Sequence, residues 1–206
     1  MAPILSDALK MIAGLGAQPQ ELSRATVIAV AAQKGGVGKT TTSVNLAVAM
    51  ARFHGRRTLI VDLDGQGHVA TALSAQSDDS GQASLSDVLL GRGRDVVDIA
   101  RPTSIPDLWA TPSDKGLAAT EGILAGRIGK EFLLRGCLKR ARARFDLIVL
   151  DCPPNLGNLT LNALTAADAC LVPCEMSILA LSGVTDLLAV ADTLRDRLDH
   201  HLDVLG

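Results

Sequence analysis

TVIAVAAQKGGVGKTT (residues 26–41) runs from a β-branched apolar stretch into a glycine-rich turn with two lysines. The apolar half, residues 26–32, reads as a buried strand. The turn, QKGGVGKTT (33–41), follows the pattern G-x-x-x-x-G-K-[ST] except at its first position, where Gln33 stands. A helix from about Lys39 to Phe53 is expected after it. In that setting the turn can cradle phosphates. The backbone N–H groups must point inward around the anion, and Gly35, Gly36 and Gly38 carry no Cβ to obstruct the approach. Lys39 brings a point charge to the β- and γ-phosphates, Thr40 a hydroxyl suited to Mg²⁺, and the helix N-terminus its partial positive charge. A surface turn with two solvated lysines is the bland alternative. The strand–loop–helix context counts against it.

The same alternation recurs along the chain. RTLIVDL (57–63), FDLIVLD (145–151) and ACLVP (169–173) read as further buried strands, and LWATP (108–112) as a short one. Helices are expected over 66–75, 85–90, 114–124, 127–143 and about 179–200, with a polar SDDSGQ loop (77–82) between the first two. LDVLG (202–206) looks like the start of another strand. Such repetition predicts right-handed βαβ units and an α/β fold, a mostly parallel sheet flanked by helices. Residues 25–206 form one domain in this reading. Residues 1–24 are an N-terminal extension in which Ile4, Leu5, Ala8, Leu9, Ile12 and Leu15 recur at helical spacing until Gly14, Gly16 and Pro19 interrupt. We read that amphipathic segment as packing on its own domain, ahead of a partner-docking peptide or a membrane-surface anchor.

Composition narrows the function classes. Of 206 residues 48% are hydrophobic, but only 2% are aromatic and none is Tyr, so the core is built of Leu, Val, Ile and Ala. Base-stacking recognition of single-stranded nucleic acid lacks its platforms. A net charge of −2 confines any nucleic-acid contact to a local patch. No apolar run spans a membrane, and Asp7 and Lys10 interrupt what would be a leader. Cys137, Cys152, Cys170 and Cys174 are too few and too irregular for a disulfide framework, which predicts a cytoplasmic protein with reduced thiols. Cys170 and Cys174 lack the spacing and the histidine partners of a metal site and read as small residues of a core strand.

Carboxylates complete the picture. VDLDGQG (61–67) closes the second strand; Asp62 and Asp64 are two apart and would point the same way from an extended chain. LIVLDCPP (147–154) ends an apolar strand in Asp151. Strand ends in parallel sheets are where ligands bind.

These segments together resemble the ParA/Soj-type partitioning ATPases, of the ParA/MinD superfamily of P-loop ATPases. KGGVGKT resembles their deviant Walker A box, K-G-G-x-G-K-[ST]; VDLDGQG their D-x-D-P-Q segment, with Gly65 where the family has proline; and DCPP, NLGNLTLNALTAAD (155–168) and VPCE (172–175) resemble ParA closely. The resemblance runs from about Thr26 to the last residue. It implies a P-loop NTPase architecture that binds ATP with Mg²⁺. Lys34, Gly35, Gly36, Val37, Gly38, Lys39, Thr40 and Thr41 would hold the nucleotide, and Thr40, Asp62 and Asp151 would serve the metal. The catalytic set would be Lys34, Lys39 and Asp64, with Asp64 positioning the attacking water and Lys34 reaching across a homodimer to the partner's nucleotide. Gly65 puts the fine geometry of its turn in question.

The resemblance also implies slow hydrolysis stimulated by a ParB-like partner, and non-specific DNA binding that would associate the protein with the nucleoid. The family runs on past residue 206, so the chain reads as either a truncated product, catalytically weak in that case, or a short member. The rival of another class is a nucleotide-responsive positioning or adaptor protein acting on a cell-division, pole or cargo partner through residues 1–24. Arg127, Lys130, Arg135, Lys139, Arg140, Arg142 and Arg144 form a locally basic stretch, read first as a solvated helix face and second, through the resemblance, as a DNA contact.

Overall fold

The computed structural model describes residues 24–73, 83–92, 95–175 and 178–205. The expected helix of residues 1–24 and the loop 77–82 lie outside the described residues. A seven-stranded sheet carries the chain, in the order β3-β4-β2-β5-β1-β6-β7. Its strands are β1 (Thr26–Val30), β2 (Thr58–Asp62), β3 (Arg101–Pro102), β4 (Leu108–Ala110), β5 (Leu147–Asp151), β6 (Ala169–Leu171) and β7 (Asp203–Val204). All pairings are parallel except β3 with β4. The helices are α1 (Lys39–His54), α2 (His68–Ala72), α3 (Leu85–Leu89), α4 (Val96–Ile99), α5 (Leu117–Leu124), α6 (Leu133–Cys137), α7 (Lys139–Arg144), α8 (Asn158–Ala166) and α9 (Ile178–Leu198).

The two faces of the sheet follow from the period-2 alternation of strand side chains. Val27, Ala29, Leu59, Val61, Ile148 and Leu150 face one way, into a core shared with α3 to α9. Ile28, Val30, Ile60, Leu147 and Val149 face the other, onto Ala47, Met50 and Ala51 of α1 and Val69 of α2. Both faces are covered, so the central strands are continuous apolar runs rather than alternating ones.

Two expectations change. The helix expected over 127–143 is broken into a 3₁₀ turn (Lys130–Phe132), α6 and α7. Gly129 at φ 67° opens it in the left-handed region, and Leu138 (φ −95°, ψ 0°) divides α6 from α7. Five of the seven basic residues, Arg127, Arg135, Lys139, Arg140 and Arg144, remain exposed. Arg140 pairs with Asp98, Arg144 stands over Trp109 and Phe145, and Arg142 is buried. Cys170 sits in β6 as expected, but Cys174 lies beyond the strand and is exposed.

Arg142 is a bolt at the N-terminal edge of the sheet. Its guanidinium donates to both carboxylate oxygens of Asp168 (2.9–3.1 Å), to Ala25 O (3.2 Å) and to Ala166 O (2.6 Å). Asp168 also accepts from the Val27 N–H at 2.7 Å. One side chain thus joins α7, the entry to β1 and the turn before β6. We expect Arg142→Ala to cost about 2–3 kcal/mol, because buried carbonyls lose a charged donor while half-exposed Asp168 regains water. Arg142→Lys should recover little, since an ammonium cannot fork. The urea unfolding midpoint measures both, and a midpoint unmoved by Arg142→Ala would remove the bolt.

Candidate functional site

Three strand ends, β1, β2 and β5, converge at the C-terminal edge of the sheet, and each supplies one loop. The loop after β1 turns twice through the left-handed region, at Gly36 (φ 77°) and Gly38 (φ 89°). An L side chain there would be strained although space is open around both. Lys39, the first residue of α1, is buried, and its Nζ donates to Lys34 O at 2.9 Å. That bond closes the loop into a ring. Burial lowers the Lys39 pKa, opposed by the nearby charges of Asp151 and Asp64. Val37 is half-buried in the loop, and Thr41 is exposed on α1.

Asp62 and Asp151 are register partners at the ends of β2 and β5. Both are buried (1% and 0% exposed), so neither carboxylate is solvated from outside. Asp151 accepts from Thr40 Oγ1 (2.7 Å) and Ser43 Oγ (2.8 Å). Burial raises its pKa against those two bonds. Asp62 Oδ1 accepts the Asp64 N–H at 3.0 Å, while Oδ2 is buried without a hydrogen bond of good geometry. Burial first, then the Asp151 charge, push the Asp62 carboxyl up to about 7. Thr111 Oγ1, on the loop after β4, accepts the Asp62 N–H at 3.0 Å.

β2 ends at Asp62. Leu63 joins the same core as Val61, so the alternation that turns Asp62 and Asp64 to one side runs one residue past the strand. Asp62 Oδ1 accepts the Asp64 N–H and Asp64 Oδ1 the Gln66 N–H (3.0 Å each), two successive Asx turns, and Asp64 O accepts the Gly67 N–H (3.1 Å) in a backbone turn. Asp64 stays near Lys39 and Asp151, whose titrations both feel its charge. Gly65, where the family has proline, lies in this turn beside a neighbouring loop. A Cβ there would lie 3.3 Å from Asp114 O, so the 111–116 loop closes onto it.

Lys34 is exposed and its side chain pairs with Glu175, past the end of β6. Only its carbonyl serves the ring around Lys39. Gly35 faces Pro154, whose Cβ would stand 4.0 Å from a Cβ at that position. Sequence reasoning passed over Ser43, although it lies one helical turn after Thr40 and so shares its face. It also passed over Thr111 and Glu175, which are placed by tertiary folding alone.

The donors suit a magnesium nucleotide. Thr40 gives its hydroxyl proton to Asp151 and keeps its lone pairs for a cation. Asp62 Oδ2 accepts no hydrogen bond of good geometry, although the Val69 N–H lies close enough to oppose the rise in the carboxyl's pKa. Among the described residues no group of three or more His, Cys, Asp or Glu could hold a metal unaided, as expected for Mg²⁺ completed by phosphate and water.

A glycine-walled loop after β1, a lysine at the helix start and an acidic strand end beside it define a P-loop ATPase with a deviant phosphate loop. A family described as "AAA domain" (AAA_31) matches residues 25–204. The chain is 39% identical over 180 residues to the sporulation initiation inhibitor protein Soj of Bacillus subtilis, covering 87% of this chain and 70% of Soj. It is 40% identical over 182 residues to the chromosome partitioning protein ParA of Caulobacter vibrioides, covering 87% and 67%. A solved structure described as cobyrinic acid a,c-diamide synthase from Mycobacterium smegmatis, with bound ADP and magnesium, superposes with a TM-score of 0.79 at 37% identity, over 88% of this chain and 73% of that one. The chain belongs to the ParA/Soj family of partitioning ATPases. Among the described residues no helix is long and apolar enough to cross a membrane.

The buried carboxylates carry a pH signature. Asp62 holds its proton more tightly folded (about 7) than unfolded (3.8), so between those values the folded state binds more protons. This group's contribution is full below the unfolded value and is lost as pH rises towards the folded one. Asp151, also raised, acts in the same sense. We expect the metal-free protein to gain stability as pH falls from 8 to 6, by up to about 1.4 kcal/mol per unit for a single group. Asp62→Asn should raise stability at pH 8 and flatten that slope. Urea titrations at several pH values in chelator check this, and an Asn variant less stable than wild type at pH 8 would sink it.

Proposed function

We propose that this chain binds MgATP in the cradle formed by Lys34, Gly35, Gly36, Val37, Gly38, Lys39, Thr40 and Thr41, and hydrolyses it slowly while driving two copies into a nucleotide sandwich that acts on DNA or cargo. One observation carries the reading: Lys39, Thr40, Asp62, Asp64 and Asp151 gather around one glycine-walled loop in a chain belonging to the ParA/Soj family. Lys39 neutralises the β- and γ-phosphates. Thr40, Asp62 and Asp151 hold the cation, directly or through water. Mg²⁺ in that place neutralises charge on the phosphate oxygens and fixes their orientation. Asp64, just past the end of β2 and coupled to Lys39, orients the attacking water and accepts its proton as the water oxygen bonds to the γ-phosphorus and the bond to the leaving ADP oxygen breaks.

Lys34 stands apart. Its side chain lies outside its own cradle and is engaged by Glu175. The use consistent with this placement is in trans, against the partner's phosphates, once that pair is exchanged. Family membership supports the rest: an activating ParB-like protein and a salt-sensitive, phosphate-directed DNA contact. ATP favours the dimer and ADP does not, so the cycle is a ligand-driven population shift.

Two substitutions test the assignment. Asp64→Ala should leave affinity for a fluorescent ATP analogue within a few-fold of wild type and lower turnover by about 10²–10⁴; wild-type turnover in the variant would remove Asp64 from the chemistry. Lys34→Ala should likewise bind the analogue, but lose ATP-dependent dimerisation and most hydrolysis. Light scattering with a non-hydrolysed analogue reads the mass. A wild-type chain that stays monomeric there would end the sandwich reading for these 206 residues.

A further inference from the structure

Glu121 lies on the inward stripe of α5. Leu117 precedes it by four residues and Leu124 follows by three, and both are buried. A carboxylate on such a stripe needs a reason, and the structure supplies one at the start of α8. The N-cap of α8, Gly157, has no side chain to satisfy the first-turn N–H groups. Glu121 Oε1 accepts the Leu159 N–H from outside at 3.3 Å. Its charge also sits against the positive end of the α8 dipole.

Gly157 shows how closely the carboxylate is seated. It has an ordinary backbone (φ −79°, ψ −170°), so glycine is not required there for conformation. A Cβ there would fall 2.2 Å from Glu121 Oε1, so any side chain at this position would have to displace the carboxylate.

The segment fixed in this way is the loop between β5 and α8. It starts at Asp151, the carboxylate that holds Thr40 and Ser43. Pro154 faces Gly35 of the phosphate loop across the space that a Cβ would fill, its own Cβ 4.0 Å from that position. Asn155 turns the chain: its Oδ1 accepts the Gly157 N–H (2.9 Å) and its carbonyl the Thr160 hydroxyl (2.6 Å). The loop is therefore held at one end by the sheet and at the other by Glu121, with Pro154 facing the loop that carries Lys34 between them. We propose that Glu121 is a positioning residue that sets the post-Asp151 loop opposite Gly35 and so fixes the face on which Lys34 and the nucleotide meet. The functional half of this proposal rests on the ATPase reading above; the clamp itself does not.

Two measurements separate the halves. Amide hydrogen exchange on the nucleotide-free protein reads the clamp directly. Glu121→Ala should speed exchange across residues 154–160 about tenfold or more while the β1 and β2 amides hold, and Glu121→Gln, which keeps the acceptor oxygen, should not. Unchanged exchange in Glu121→Ala overturns the proposal whether or not the chain hydrolyses ATP. Steady-state turnover then reads the consequence: Glu121→Ala should lower kcat about 10–100-fold with KM for ATP within threefold, the pattern of a misplaced rather than a missing group, and Glu121→Gln should restore it. A wild type that turns over alongside an Ala variant with the same kcat, or one whose kcat and affinity fall together with its unfolding midpoint, overturns the positioning role. A wild type with no turnover but an intact exchange result counts against the ATPase reading and leaves the clamp standing.

Discussion

Two carboxylates stand side by side at the C-terminal edge of the sheet, Asp62 on β2 and Asp151 on β5, in register and out of water. Packed apolar residues could fill that place without penalty. Two like charges in a low-dielectric setting are unfavourable unless positive charge and donors face them. The surrounding structure answers this demand. Thr40 and Ser43, three apart and on one face near the start of α1, both donate to Asp151. Lys39, between the phosphate loop and the carboxylates, is buried in turn, and its own pKa falls although the carboxylates oppose the shift. Asp62 is left with one oxygen short of a good hydrogen bond and a proton affinity near neutrality. Such a site is poised for a cation, and its free energy is lowered by one.

That demand organises the loops as well. The β1 loop closes on Lys39 through Lys34 O, the β2 loop turns back on Asp62 through the Asp64 N–H, and the β4 loop reaches Asp62 through Thr111. The β5 loop brings Pro154 opposite Gly35. The β2 and β4 loops use backbone and short side chains, and the β1 loop uses the buried Lys39 side chain, so the acidic pair is joined to the exposed rim where Lys34 lies.

Much of this is legible in residues 26–41 and at the two strand ends, because glycine, lysine and strand-terminal aspartate are constrained by local chemistry that composition cannot hide. The strands of the central sheet follow from unbroken β-branched runs, which a sheet covered on both faces requires. What escapes is tertiary. The break of the 127–143 helix comes from left-handed Gly129 and the kink at Leu138, in a stretch whose residues otherwise favour helix. The bonds that shape the turn after β2 run from side-chain acceptors at positions 62 and 64, which compete with extension. Thr111, Glu121 and Glu175 have no signature, since their partners lie far away in the chain. Three of the seven basic residues of 127–144 serve separate ends: Arg142 as an internal bolt, Arg140 in a surface pair, Arg144 over aromatic rings.

Gly65 departs from the family pattern at the turn that carries Asp64. A proline there would fix one φ angle and rigidify the turn through the chain itself. Glycine gives up that restraint, and a freer turn would let Asp64 drift from the cradle. Restraint then falls to packing from outside the turn. Asp114 O approaches to where a Cβ would lie 3.3 Å from it, and Ser113 Cβ comes closer still, 2.8 Å, to the corresponding place at Gly67, which holds a left-handed φ of 69°. Asp114, buried, is itself fixed by the Ser86 and Gly116 N–H groups. The 111–116 loop therefore packs on the turn that carries Asp64, and the two meet at Gly65 and Gly67.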